Sequence, residues 1–187
     1  MKSLGIIAAL GLAAAAAAMP AAAQTAYIGF GAGQSKFNFS DCSSPCDDKG
    51  SAFKLFGGYQ FNRYIAAEFG YSDMGKGTFG SANVKANAWE LSAVGTWGIP
   101  LSTGGIGLGL LGRLGVYNGE AKVTVPSTGE EVKHGTTDLT YGFGLHADLS
   151  RIIAVRAEWQ RFAKMGGGGI GEKADVDVLS VSALWRF

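Results

Sequence analysis

From residue 26 onward, large apolar side chains recur at every second position, and the positions between them carry glycine, serine or charge. In segment 26–34, Ala26, Ile28, Phe30 and Ala32 share one parity, and Tyr27, Gly29, Gly31 and Gly33 the other. The same alternation returns in segments 52–61, 65–72, 88–97, 106–117, 139–149, 153–160 and 179–187. Side chains of an extended chain point alternately to opposite faces, so a period of two marks a strand with one apolar face. Leu111, Tyr117 and Leu184 are bulky residues standing outside the pattern. Glycine is too frequent for stable amphipathic helices. The pattern therefore predicts eight strands of about 9 to 11 residues, the length at which a tilted strand crosses a bilayer.

The joints sort into two kinds. Those after the second, fourth and sixth strands are short, at 62–64, 98–105 and 150–151; those after the first, third, fifth and seventh are long and polar, at roughly 35–51, 73–86, 118–138 and 163–176. Short turns at one end, long loops at the other and an even strand count describe an all-β, eight-stranded, antiparallel up-and-down transmembrane β-barrel. Strands in hydrocarbon cannot leave an edge unpaired, which forces closure. The same alternation would also suit a barrel in water with its apolar face turned inward. Three features favour the apolar face outward. It carries Trp89, Trp97, Trp159, Trp185, Tyr59 and Tyr71, mostly near strand ends; the other face is rich in glycine and serine; and Phe187, at the end of the chain, lies on the bulky face.

The first 23 residues read differently. Lys2 precedes an apolar, alanine-rich run from Leu4 to Ala18, and Ala21, Ala22 and Ala23 stand before Gln24. We expect residues 1–23 to be a cleaved signal peptide and 24–187 to form the barrel domain, with export placing it in the bacterial outer membrane. A membrane-spanning helix is the competing reading, and Pro20 together with the low hydrophobicity of alanine argues against it. Of 187 residues, 30 are glycine and 4 proline, without a collagen period, and 16 basic residues face 15 acidic ones. That near-neutral balance supplies no reason to expect a nucleic-acid partner.

Charge inside a small barrel must be paired. The inward parity collects Lys54, Glu68, Glu90, Arg113, Arg156 and Glu158, three bases and three acids. Eight strands enclose room only for side chains, so we expect these six to form a lumen charge network that plugs the cylinder, with ion passage by rearrangement as the alternative.

The run from Lys54 to Arg63, Lys-Leu-Phe-Gly-Gly-Tyr-Gln-Phe-Asn-Arg, and Glu68-Phe-Gly-Tyr-Ser-Asp-Met-Gly at 68–75 resemble the transmembrane domain of the OmpA-like outer-membrane protein family. Cys42 and Cys46 with their flanking aspartates are similar to the cysteine-bearing first loop of one branch. The resemblance implies an assembly signal in Val181, Ala183, Trp185 and Phe187, recognised by the outer-membrane barrel assembly machinery. Larger members continue into a peptidoglycan-binding domain, whereas this sequence stops after its eighth strand, so wall anchoring is not expected.

Candidate chemistry is sparse. Catalysis on lipid would need a placed base or nucleophile. His146 falls on the inward parity and His134 in a long joint, in neither case with a spacing that marks a triad. Catalytic residues, metal ligands and cofactors are therefore all expected to be none. Three residues separate Cys42 from Cys46, unlike a redox pair, and export permits a disulfide between them. The Gly166–Gly169 run is expected to make the fourth loop flexible. The expected role is structural: a monomer stabilising the envelope, with outer-membrane lipids and lipopolysaccharide as partners. A narrow pore, an adhesin or receptor, and a lipopolysaccharide-modifying enzyme are the alternatives.

Overall fold

A computed structural model describes residues 25–38, 46–47, 49–79, 82–103, 106–125, 130–165 and 174–187. Eight long strands run β1 (Thr25–Asn38), β2 (Lys49–Gln60), β3 (Ile65–Phe79), β4 (Ala82–Thr103), β5 (Ile106–Val125), β6 (Glu130–Asp148), β7 (Ile153–Met165) and β8 (Ala174–Arg186). Each pairs antiparallel with its neighbour in sequence, and β1 pairs with β8, from Tyr27 opposite Arg186 to Asn38 opposite Asp175. The sheet closes on itself and leaves no long edge. Cys46–Asp47 adds a short pairing to Phe79 and Thr78. The expected signal peptide, Cys42 and the Gly166–Gly169 run lie outside the described residues, as does the side chain of Cys46.

The faces follow the alternation. Phe30, Leu114, Phe143 and Leu179 are each more than 60% exposed, whereas the inward Lys54, Glu68, Glu90 and Arg113 are at most 5% exposed. Only hydrocarbon makes that distribution favourable, because each such apolar side chain left in water forgoes about 1.5 to 3 kcal/mol of burial. The inverted, water-soluble barrel is thereby excluded. Trp89 stacks against Phe69 and Tyr71, with ring centroids 5.5 and 4.9 Å away, where the outward face changes from apolar to polar. Trp97, Trp185 and Tyr59 are exposed near the turn end.

The long joints differ from expectation. Residues 73–86 and 118–138 are mostly strand: β3 reaches Phe79 before β4 starts at Ala82, and β5 reaches Val125 before β6 starts at Glu130. Strands are accordingly 12 to 22 residues long. The reason is that hydrophobic alternation ends where the bilayer ends, whereas backbone pairing does not. Beyond the membrane the outward face meets water or polar neighbours, so the period-two signal fades while the ladder continues from Asn87 opposite Glu120 to Asn83 opposite Thr124. Where β3 leaves the membrane a bulge between Asp73 and Lys76 shifts the register, and Gly75 takes a left-handed φ of 70° there, with its N–H donating 2.8 Å to Asp73 Oδ1.

Candidate functional site inside the barrel

Three layers fill the cylinder. At the loop end Phe37, Met74, Tyr117, Phe162, Met165 and Val176 form a buried apolar plug. Tyr117, one of the three out-of-pattern residues, points inward, meets Phe162 edge-on at 5.2 Å and donates its hydroxyl to Ala163 O at 2.6 Å. At the turn end Tyr27, Phe56, Ala66, Val94, Leu111, Ala154 and Leu184 make a second apolar layer. Leu111 and Leu184, the other two exceptions, are thus interior packing residues. Between the layers lies the charge band.

Alternation on β2, β3, β4, β5 and β7 delivers all six expected charged residues to this band. Arg113, on β5, is its hub. Its side chain has no exposure and meets all three carboxylates: Nη2 on Glu68 Oε2, Nη1 at 3.0 Å from Glu90 Oε1, and Nε at 2.8 Å from Glu158 Oε1. Lys54 Nζ lies 2.9 Å from Glu90 Oε1 and 3.4 Å from Glu158 Oε1, and Arg156 Nη1 reaches Glu68 Oε1. Three positive and three negative groups cancel. Each ion removed from water costs several kcal/mol, and only a dense set of short pairings offsets that cost.

Neutral residues complete the network, and parity alone did not single them out. Tyr27 donates to Glu68 Oε1 at 2.6 Å. Gln160 accepts from Lys54 Nζ at 2.7 Å, and its Nε2 donates both to Glu90 Oε2 and, at 2.8 Å, to Thr140 Oγ1. The usable signal was position: Gln160 follows Arg156 and Glu158 at steps of two on β7, so it shares their face.

Below the band the barrel opens into a cavity of about 630 Å³ at the turn end, lined by Arg63, Arg151, Arg156, Arg186, His146 and Asp148 among others. Arg186 Nη2 lies 2.6 Å from Asp148 Oδ1, and His146 Nε2 3.3 Å from Asp148 Oδ2. Among the described residues neither serine nor cysteine lines this cavity. His134 sits on β6 opposite Ala121, and its side chain is outside the description. Among the described residues no set of three histidine, cysteine or acidic side chains is grouped to hold a metal. The residues expected to carry an assembly signal lie along the outward face: Val181, Trp185 and Phe187 are exposed, Ala183 half-buried, and Phe187 N–H donates to Ala26 O at 2.9 Å.

Comparison with known proteins matches the chain to the family described as the outer membrane protein beta-barrel domain, over residues 6–187. Outer membrane protein A of Escherichia fergusonii is 31% identical over 201 residues, covering 100% of this chain and 56% of that protein. The chain therefore spans about half the length of the curated relatives it matches. Among solved structures, neisserial surface protein A superposes with a TM-score of 0.69 at 15% identity, covering 87% of this chain and 97% of that one. Ail, the attachment invasion locus protein of Yersinia pestis solved with the heparin analogue sucrose octasulfate, gives 0.58 at 18%, covering 88% and 99%. At those identities the likeness concerns fold.

Proposed function

Because the chain belongs to the outer membrane protein β-barrel domain family, we propose that its work in the bacterial outer membrane is structural: a plugged cylinder that reinforces the envelope and presents outer loops. The observation that supports this reading is the filled lumen. An ion crossing it would have to part Arg113 from three carboxylates and then displace Tyr117 and Phe162. Breaking one buried pair costs about 3 to 5 kcal/mol, a barrier that a resting channel would meet at every passage.

The remaining parts serve delivery and support. Residues 1–23 address the chain for export and are removed; Val181, Ala183, Trp185 and Phe187 present the signal to the assembly machinery; a Cys42–Cys46 bridge staples the first loop. The barrel acts as a monomer, and its chemistry is binding rather than catalysis. Planar-bilayer recording of the purified, refolded protein tests the reading. The expected trace is flat, and reproducible discrete conductance steps would replace the structural role with that of a narrow pore.

A further inference from the structure

The outer rim holds a row of lysines that only the strand register reveals. Lys76 on β3 stands opposite Lys85 on β4, Lys85 opposite Lys122 on β5, and Lys122 opposite Lys133 on β6. Four bases thus occupy one transverse line across four neighbouring strands. Lys76 and Lys85 are exposed, and Lys85 shares the outward parity of Trp89. Directly opposed side chains in an antiparallel pair lie about 5 Å apart at Cβ, and like charges there oppose pairing.

Little in the described part of this wall neutralises the row. Among the side chains described, Glu120 lies 3.6 Å from Lys122, an exposed and weak pair. Asp73, the nearest carboxylate on β3, accepts the Gly75 N–H. The opposite wall shows the alternative solution. There Arg161 lies 2.6 Å from Asp177 and 3.7 Å from Asp175, and Lys36 stands opposite Asp177 in register. Among the described side chains, one wall neutralises itself and the other leaves its charge to the surroundings.

Height identifies what those surroundings are. Lys85 is four residues beyond Trp89, or about 13 Å along the strand at ~3.3 Å per residue. The apolar band ends at Trp89, so the row lies at the level of the outer headgroups. We propose that Lys76, Lys85 and Lys122 form a docking line for the phosphate groups of lipopolysaccharide, which bridge neighbouring lysines and turn a repulsive register into an attractive one. This rests on the structural reading above and names the partner through which the barrel would brace the outer leaflet.

The test compares wild type with a Lys76→Gln, Lys85→Gln, Lys122→Gln variant, refolded into vesicles of phosphatidylcholine alone, with lipopolysaccharide, or with phosphatidylglycerol. At about 1 kcal/mol per surface lysine, apparent affinity for lipopolysaccharide should fall roughly five-fold per residue and about a hundredfold in the triple variant. Without an anionic lipid the order of stability should invert, the variant unfolding at equal or higher urea than wild type. Equal lipopolysaccharide affinity in both proteins overturns the proposal. An equal, lysine-dependent gain from phosphatidylglycerol overturns the assignment to lipopolysaccharide, and soluble heparin binding without lipopolysaccharide dependence would reassign the row to a host glycan. Should the variant refold poorly, the salt dependence of wild-type binding decides instead: affinity must drop steeply with ionic strength, and a flat profile refutes the row. Conductance is a separate readout, so the pore test can fail while this one succeeds.

Discussion

The charge band inside the barrel and the lysine row outside it solve the same problem in opposite ways. Within the lumen, Lys54, Arg113 and Arg156 are matched one for one by Glu68, Glu90 and Glu158, and the pairings are short and buried. On the rim, Lys76, Lys85 and Lys122 oppose one another with Glu120 as the one acidic contact among the described side chains. The difference is one of solvent. A charge buried between two apolar layers has few external ions to call on, so the chain must supply its counter-charge. A charge at the headgroup level can borrow one.

That contrast orders the experiments. Replacing Arg113 with methionine should cost most, about 3 to 5 kcal/mol, because three buried carboxylates then share two bases. Urea unfolding in lipid vesicles measures it, and a loss below about 1 kcal/mol would mean that water, not Arg113, satisfies those acids. Leu114→Arg places a charge on the lipid side of the same strand, one residue away. It should cost about 2 to 4 kcal/mol if the site is near the midplane, and a negligible loss would show that the outward face does not meet hydrocarbon.

Tyr27→Phe removes one hydroxyl from Glu68 and leaves every charge in place. About 1.5 to 3 kcal/mol is expected by the same assay, with no change in strand content by circular dichroism. Smallest and of opposite sign is Lys85→Gln in phosphatidylcholine vesicles at low salt. It should stabilise by a few tenths of a kcal/mol up to about 1, and destabilisation there would show that the row is not self-repelling.

Much of this architecture was legible in advance. The parity of Phe30, Leu114 and Phe143 set the lipid face, and the same parity sent Lys54, Glu68, Glu90, Arg113, Arg156 and Glu158 inward. The pattern stops informing where the bilayer ends: residues 73–86 and 118–138 have no apolar outward face to advertise, yet their backbones pair for most of their length. Tyr27 and Gln160 were on the correct face but unremarked, since a neutral side chain gains its importance from the charges it meets. Tyr117, Leu111 and Leu184 broke the alternation for a reason that emerges only with layers: they cap the charge band above and below with apolar volume.

Facing is a local property. Successive Cβ atoms in any extended segment diverge, so the order of residues by itself determined the strand number and which side chains share a face, while the exposure of Phe30 and Leu114 against the burial of Arg113 decided which face looks outward. Partnership is not local. Arg113 meets Glu68 across 45 residues and Lys54 meets Glu158 across 104, and which residues fall at the same height depends on how far each strand is staggered against the next. Tertiary structure therefore decided the hub at Arg113, the continuation of strands above the membrane and the alignment of four lysines, because stagger is settled by the closure of the whole sheet.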